Sequence, residues 1–202
     1  MTSATTAADA AEGTGRRDQR ARGRKRDADR TDAIIEAARE LLFEVGADQF
    51  RVQDVAARAE SGTGAIYRRW ATKEALIADA IRSFPKVEAP ITDDPVADLR
   101  AYVDLKFGAV SAQPEVLSSI VSAIRADEGI AEAVDEVYTM EPFRDAVARV
   151  IGADHPHLEL LTDLAPALAL YRATFGRHTQ HSTSLTDDVL AVVELAKANR
   201  QD

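Results

Sequence analysis

Apolar residues recur at three- and four-residue steps along most of this chain, which is the spacing of one face of an α-helix. The first run begins at Thr31 and ends at Gly46, a residue type that commonly terminates helices. Shorter helical patterns follow up to residue 84, with Thr72 in the position of a helix cap. Strand-like alternation of useful length is absent from the sequence. The pattern therefore predicts an all-α fold.

Residues 85–95 carry three prolines and predict a connector between two helical regions. Residues 1–28 lack apolar periodicity and predict a basic arm that is disordered in isolation. A first helical domain is expected over 29–84 and a second over 95–202. In the second domain the spacing predicts helices over 96–112, 114–126, 129–151, 158–175 and 185–198, with a break at Pro142 left open.

The last two predicted helices carry more apolar surface than the single stripe that a monomer needs to bury. Two such helices from each of two chains would form a four-helix bundle, so the sequence predicts a homodimer through them. The alternative is that both helices pack only within their own domain. The apolar residues are Leu158, Leu160, Leu161, Leu164, Leu168 and Leu170 in the first helix, and Val189, Leu190, Val192, Val193 and Leu195 in the second.

Composition excludes several classes of protein. The chain has no cysteine, so neither a disulfide framework nor a thiolate site can form. No apolar run approaches the ~20 residues that cross a bilayer. Residues 1–15 lack the apolar segment of a secretory signal. We expect a cytoplasmic protein without a membrane association.

The net charge of −9 is distributed unevenly along the chain. Residues 1–83 hold 15 basic and 14 acidic side chains, whereas residues 84–202 hold 10 basic and 20 acidic ones. Residues 16–30 alone hold 8 basic and 3 acidic side chains. A basic arm, a nearly neutral first domain and an acidic remainder predict that a polyanion docks at the amino-terminal end.

Residues 52–70 have the pattern of two short helices joined by a tight turn, as in a helix-turn-helix. The second of these helices ends in the cluster Tyr67-Arg68-Arg69-Trp70. A solvent-facing helix that combines small residues, a tyrosine and paired arginines suits phosphates and base edges better than catalytic chemistry. The alternative is that the aromatic residues are core and the arginines form a solvated face.

Residues 31–84 resemble the amino-terminal domain of the TetR family of bacterial transcriptional regulators. Family members typically show an amphipathic first helix ending in Gly, then segments like V-x-D-I-A, A-G-V-S-x-G-T-I-Y-x-x-F and S-K-E-x-L. The Y-R-R-W ending is similar to that of one branch of the family. The matching residues are Gly46, Val52, Asp54, Val55, Ala56, Ala59, Gly64, Ile66, Tyr67, Trp70, Lys73, Glu74 and Leu76.

Five positions depart from the family pattern. Glu60 stands where the turn usually has Gly, Ser61 where it has a hydrophobic residue, and Gly62 where a Ser caps the next helix. Arg51 takes the place of a capping Thr or Ser, and Ala65 that of a Thr. Because the loss of a Ser or Thr cap costs about 1 kcal/mol, we expect a turn that is less firmly capped.

The resemblance implies a sequence-specific DNA-binding regulator whose second motif helix enters the major groove. Trp70 is expected in the core. Arg22, Arg24, Lys25 and Arg26 of the arm either contact phosphates or the minor groove, or form a solubilising tail. The predicted DNA-binding residues are Arg51, Gln53, Ser61, Gly62, Thr63, Gly64, Ala65, Tyr67, Arg68, Arg69 and Lys73.

The resemblance also implies a repressor that binds a palindromic operator as a dimer and is released by a small-molecule effector. Such an effector would lie among the middle helices, where the apolar residues could equally be ordinary core. The predicted lining residues are Tyr102, Phe107, Ile120, Ile124, Tyr138, Met140, Phe143, Tyr171 and Phe175.

Other functions find less support in the sequence. An all-helical protein-binding or scaffold protein with a degenerate helix-turn-helix is the alternative, favoured by the acidic charge and the irregular turn. No catalytic constellation, phosphate loop or cofactor motif occurs, so we expect neither an enzyme nor a cofactor. The pairs His155/His157 and His178/His181 have metal-compatible spacing, but without carboxylate or thiolate support we expect no metal site.

Overall fold

The computed structural model describes residues 5–108, 113–175 and 183–199, with side chains from residue 27 onward. The described residues form ten α-helices and one π-helical turn, and no strand occurs among them. The all-α fold predicted from the apolar spacing is therefore confirmed.

The amino-terminal helices agree with the apolar pattern, except that α1 begins before Thr31. Gly46 leaves helical geometry, with a φ of 74°, where the sequence predicts a helix stop. Thr72 caps α4 as predicted, since its hydroxyl accepts a 3.1 Å hydrogen bond from the Ala75 amide. The four helices are α1 (Thr5–Gln49), α2 (Val52–Arg58), α3 (Thr63–Tyr67) and α4 (Lys73–Arg82).

Six helices follow the connector: α5 (Pro95–Val103), α6 (Pro114–Ala126), α7 (Glu128–Val137), α8 (Glu141–Ile151), α9 (Leu158–Phe175) and α10 (Leu185–Ala198). The bounds of α6, α9 and α10 are those predicted. The predicted helix over 129–151 is instead two helices, because Pro142 lies in the first turn of α8, where proline is tolerated. The predicted helix over 96–112 changes at Asp104–Gly108 into the π-helical turn, called the π turn below.

Two hydrophobic cores hold these helices together. The first core is formed by α1 to α4 and also takes Ile130 and Ala133 from α7, so it contains residues from both sides of the connector. The second core is formed by α5, the π turn, α8, α9 and α10. Helix α6 contributes Ile124 to the surroundings of the first core and Leu117 to those of the second. The domain division at 29–84 and 95–202 stays a prediction.

Polar contacts reinforce the packing between the amino-terminal helices and the second half. The Arg82 guanidinium donates to both carboxylate oxygens of Glu136, at 2.7 and 3.1 Å, and so joins α4 to α7. This contact holds the pKa of Glu136 below its usual range. At the other junction, the hydroxyl of Ser119 on α6 accepts a 3.0 Å hydrogen bond from the Ala47 amide.

The end of the connector is fixed by one buried carboxylate. Asp98 on α5 is 3% exposed and accepts hydrogen bonds from the Thr92 amide at 2.7 Å and the Thr92 hydroxyl at 2.8 Å. Arg149 on α8 donates to the same carboxylate at 2.6 Å. The Thr92 amide, with help from Arg149, keeps the pKa of Asp98 below its usual range. The carboxylate therefore remains charged and ties the connector to the second core.

Replacing Gly46 with Ala is expected to lower the free energy of unfolding. A Cβ at this position would lie 2.2 Å from the Ser119 hydroxyl oxygen, and the φ of 74° is strained for any residue with a Cβ. We expect a loss of about 1–3 kcal/mol, measured by urea denaturation. Gly108→Ala is the matched control, since a Cβ there would meet nothing within 4 Å. Equal stability of the two variants would contradict this account of Gly46.

Candidate nucleic-acid interface

Helix α2 is held against α1 by an ion pair. Arg58 donates to both carboxylate oxygens of Glu44, at 2.9 and 2.8 Å, and lies 3.6 Å from Glu40. The hydrogen bond from Arg58 holds the pKa of Glu44 below its usual range. Arg58 is therefore engaged within the domain, whereas Arg51 and Gln53 at the start of α2 are exposed.

The turn after α2 is a Schellman motif with an unusual residue in its left-handed position. The Ser61 amide donates to the Ala56 carbonyl at 2.9 Å, and the Glu60 amide donates to the Ala57 carbonyl at 3.4 Å. Glu60 has a φ of 48°, where this motif usually has Gly. The turn is thus irregular because a residue with a Cβ adopts the left-handed conformation.

The next two residues leave the start of α3 weakly capped, as predicted. Gly62 occupies the N-cap position in extended geometry and offers no side chain to the helix amides. The Ser61 hydroxyl oxygen is buried and has no hydrogen-bond partner among the described residues. A serine therefore fills the place where the family pattern has an apolar side chain.

Helix α3 turns one face inward and one outward. Ala65 and Ile66 are 9% and 1% exposed and lie on the inner face. Thr63, Gly64 and Arg68 are exposed, and Tyr67 is 51% exposed. The Arg68 guanidinium lies along Gly64, 3.8 Å from the place where a Cβ would stand. The outer face of α3 thus has small residues at its amino-terminal end and a phenol and a guanidinium at its carboxy-terminal end.

The two arginines after α3 have different surroundings. Arg69 donates to the Thr31 hydroxyl and to the Ala65 carbonyl, each at 2.9 Å, and pairs with Asp27. Its side chain is 18% exposed. Arg68 is free of such contacts among the described side chains and points to solvent. Of the paired arginines, Arg68 is the one that is available to a ligand.

Trp70 and Lys73 connect α3 and α4 to the rest of the domain. Trp70 is 5% exposed, in agreement with its expected place in the core, and its indole N–H donates to Asp79 at 2.8 Å. Lys73, the first residue of α4, is partly exposed and donates to the Ala47 carbonyl at 3.4 Å. The Ala47 peptide is therefore contacted by Lys73 on one side and by Ser119 on the other.

The sequence around this motif matches a known family. The family model described as "Bacterial regulatory proteins, tetR family" matches residues 34–80. A relative from Mycobacteroides abscessus, named "DNA-binding transcriptional repressor TetR", is 28% identical over 189 residues, which are 86% of this chain and 96% of that protein. The chain belongs to the TetR family. It is a DNA-binding transcriptional regulator.

A second relative and a solved structure are also similar to this chain. The Bacillus subtilis HTH-type transcriptional regulator YdeS is 33% identical over 117 residues, which are 56% of this chain and 59% of YdeS. A crystal structure from Mesorhizobium loti, described as a TetR-family transcriptional regulator, superposes with a TM-score of 0.59. That likeness covers 86% of this chain and 98% of the other at 16% identity, and it extends the shared fold to both halves.

The predicted effector-binding residues of this TetR-family chain do not form one continuous lining. Tyr102 stacks on Phe143 with centroids 5.8 Å apart, and Phe107 meets the same ring edge-on at 5.7 Å. Met140 packs against the same second core. Tyr138 is 43% exposed at the edge of this group. The others lie apart from it: Ile124 packs on the first core, Ile120 is half-buried on α6, and Tyr171 and Phe175 form an exposed pair on α9.

Sequence reasoning missed the residues that link the DNA-binding motif to the second half. Ser119, Arg82 and Glu136 contact partners far away in the chain, so no local spacing marks them. Ser119 carries one usable signal, because it is a polar residue in the apolar row of an amphipathic helix. Such a residue needs a buried hydrogen-bond partner, which here is the Ala47 amide.

Within the described ranges, neither a metal-binding cluster nor a membrane-spanning helix occurs. Their His, Asp and Glu side chains form no group of three or more that could hold a metal ion. His155 and His157 lie with ring centroids 5.8 Å apart, whereas His178 and His181 fall outside the described residues. In the described ranges no helix has both the length and the apolar character needed to cross a bilayer.

Replacing Glu60 with Gly is expected to stabilise the protein. Gly adopts the left-handed conformation without a Cβ penalty, and part of this gain is offset by its greater freedom in the unfolded chain. We expect the free energy of unfolding to rise by about 0.5–1 kcal/mol in urea denaturation. Glu60→Ala keeps a Cβ in the same conformation and is expected to bring no such gain. If the Ala variant were as stable as the Gly variant, strain at this turn would be refuted.

Proposed function

We propose that this chain is a repressor that binds a palindromic operator as a homodimer and is released from it by a small-molecule effector. The observation that carries the DNA-contact part is the outer face of α3, where Tyr67 and Arg68 are exposed beyond two small residues. The sign of regulation is supported by the Mycobacteroides abscessus relative, whose name is that of a repressor.

The proposed DNA contacts follow from the exposed groups. Thr63 and Gly64 are small enough for α3 to lie deep in the major groove, and Arg68 reaches either a guanine edge or a phosphate. Tyr67, Lys73, Arg51 and Gln53 are proposed to bind phosphates on both sides of the groove. We leave Ala65 and Arg69 out of the contact set, because the first is buried and the second is paired within the domain. Ser61 and Gly62 are proposed to act through the turn's shape.

The basic arm is proposed to add backbone or minor-groove contacts. Its side chains lie outside the described ones, but Asp27, the first described side chain, pairs with Arg69 directly after α3. The arm therefore joins the domain beside the recognition helix. A chain segment with 8 basic and 3 acidic residues in this place is attracted to the phosphates that flank a bound α3.

The homodimer is proposed to form through α9 and α10. These two helices contact each other, and both carry apolar side chains that their own chain leaves exposed. Leu160 and Leu195 are 67% and 64% exposed, and Leu170 and Val192 about two-fifths. Exposed apolar surface of this kind marks an interaction site. A second copy of the same two helices would cover it and hold two recognition helices at a fixed separation.

Effector release is proposed to act through α7 and α4. A small molecule among the aromatic residues of the second core changes DNA affinity only if it prefers one arrangement of the helices over another. Helix α7 shares the first core with α4, and α4 begins at Lys73 beside the DNA-contacting face. A shift of α7 would therefore move α4 and change the separation of the two recognition helices.

As a DNA-binding protein, the chain is proposed to act in the bacterial cytoplasm.

The neighbouring arginines provide a direct test of the DNA-contact assignment. Arg68→Ala is expected to weaken operator binding by about 1–3 kcal/mol while leaving the melting temperature nearly unchanged, because Arg68 contacts DNA and little else. Arg69→Ala is expected to lower the melting temperature, because Thr31 and the Ala65 carbonyl lose their donor. Gel shift on a selected binding site and thermal denaturation measure the two effects. An Arg68→Ala protein with wild-type affinity would remove Arg68 from the interface.

Charge placed on the α9–α10 surface tests the proposed dimer. Leu160→Glu and Leu195→Glu are each expected to yield monomers in analytical ultracentrifugation, because a carboxylate would be buried without a partner. Ile91→Glu is the matched control, since Ile91 is 81% exposed and belongs to the connector, not to either helix. Dimers that survive both leucine substitutions would place the interface elsewhere.

A further inference from the structure

The edge of the second core holds a partly buried cation without a counter-ion. Lys106 lies on the π turn, with its Nζ 4.6 Å from the ring centroid of Tyr138 and 5.6 Å from that of Tyr102. The ammonium donates to the Thr139 carbonyl at 2.6 Å and to the Tyr102 hydroxyl at 3.3 Å. None of the ion pairs among the described residues includes Lys106.

This arrangement favours an anion. Burial lowers the pKa of Lys106, and Glu141 acts only as a weaker, opposing influence. An ammonium that has lost part of its hydration gains more from a bound carboxylate than an exposed one does, because the local dielectric is lower. Burial also raises the pKa of Tyr138 to about 12 and raises the pKa of Tyr102, so both phenols stay protonated at neutral pH and can donate hydrogen bonds.

Buried aromatic side chains of the second core lie directly behind the cation. Tyr102, which accepts from Lys106, stacks on Phe143, and Phe107 meets Phe143 edge-on. Met140 packs on the same core, one residue after Thr139. The π turn is a further sign of function, because π-helical turns have poorer hydrogen-bond geometry and are found frequently at functional sites. Here the turn carries both Lys106 and Phe107.

We propose that this cluster binds a small organic acid, whose carboxylate meets Lys106 and Tyr138 at the exposed edge of the second core. Its apolar body passes Met140 and enters that core beside Phe107 and Phe143, whose buried rings must shift to admit it. The binding site stands on its own geometry. Its regulatory meaning rests on the proposed function, for which it names the chemical class of the effector.

The position of the cluster gives such a ligand a route to the DNA-binding helices. Lys106 holds the Thr139 carbonyl just beyond the end of α7, and α7 is joined to α4 by Arg82 and Glu136. A carboxylate that competes for the lysine weakens its hold on Thr139 and so changes how the end of α7 is fixed. A ligand that pairs with Lys106 can therefore shift the position of α7, the helix that packs on α4.

Binding of matched acids and amides to the full-length protein tests the proposal. The probes are naphthoate and octanoate, each compared with its neutral amide by isothermal titration calorimetry. At least one acid is expected to bind about ten- to hundredfold more tightly than its amide, which is the usual worth of a hydrogen bond to a charged group. Equal affinity of acid and amide, or no binding of either acid at millimolar concentration, would overturn the proposal.

Variants of Lys106 test whether this residue causes the preference for the acid over its amide. Lys106→Met keeps the apolar stem and is expected to abolish the difference between acid and amide, whereas Lys106→Arg keeps the charge and is expected to retain it. A preference that persists in Lys106→Met would place the anion elsewhere. Circular dichroism checks that the Lys106→Met protein is folded. If it is not, the acid–amide comparison on the unaltered protein still tests the proposal.

Release of DNA is measured separately, so that the two proposals fail differently. If the acid binds through Lys106 but leaves the DNA complex intact, the anion site stands and the effector role fails. If the amides release DNA as well as the acids do, ligand response stands and the anionic class is refuted.

Discussion

The packing of α7 against α4 is the contact on which the rest of the structure depends. Ile130 and Ala133 of α7 are 1% and 0% exposed, and they are buried in the same core as the helix-turn-helix. The connector separates two helical regions along the chain, but the first core contains residues from both of them. Because close-packed interiors transmit displacement instead of absorbing it, α7 cannot move without moving the helices that present α3. The half that holds the helix-turn-helix and the half beyond the connector thus share a structural element.

Two polar contacts extend this mechanical link. On one side, Arg82 pairs with Glu136 of α7, and the neighbouring Asp79 holds the indole of Trp70 directly after α3. On the other side, the Ala47 amide donates to Ser119 of α6, and the Ala47 carbonyl accepts from Lys73 of α4. The Arg82–Glu136 and Ala47–Ser119 contacts join residues on opposite sides of the connector, whereas the Asp79–Trp70 and Lys73–Ala47 contacts stay within the amino-terminal half. Through the contacts that cross the connector, a shift of α6 or α7 would move the helices that hold α3.

The periodic parts of the fold were predictable from the sequence, because apolar spacing reports helices directly. The bounds of α9 and α10 follow from it, and so do the stop at Gly46 and the cap at Thr72. The π turn could not be predicted, since a single extra residue per turn leaves no distinct pattern in five positions. The sharing of α7 between two regions escaped too, because it depends on contacts between residues about 50 positions apart.

The candidate site was predictable as a segment but not residue by residue. Arg68 and Arg69 are identical neighbours in the sequence, yet the turn that ends α3 leaves the Arg68 guanidinium exposed and encloses that of Arg69 beside Thr31 and Ala65. At the turn, by contrast, a single residue was predictable. The family pattern marks Glu60 as unusual, and its φ of 48° shows the physical consequence of having Glu in the place of Gly.

Two copies of α3, held by one dimer, are proposed to read DNA together. Selection of bound fragments from a random DNA pool by the full-length protein tests this proposal most directly. We expect an enriched site with two inverted half-sites, whose centres lie about 10 base pairs apart or a multiple of that distance. Binding without any enriched motif, or enrichment of a single unrepeated half-site, would contradict it.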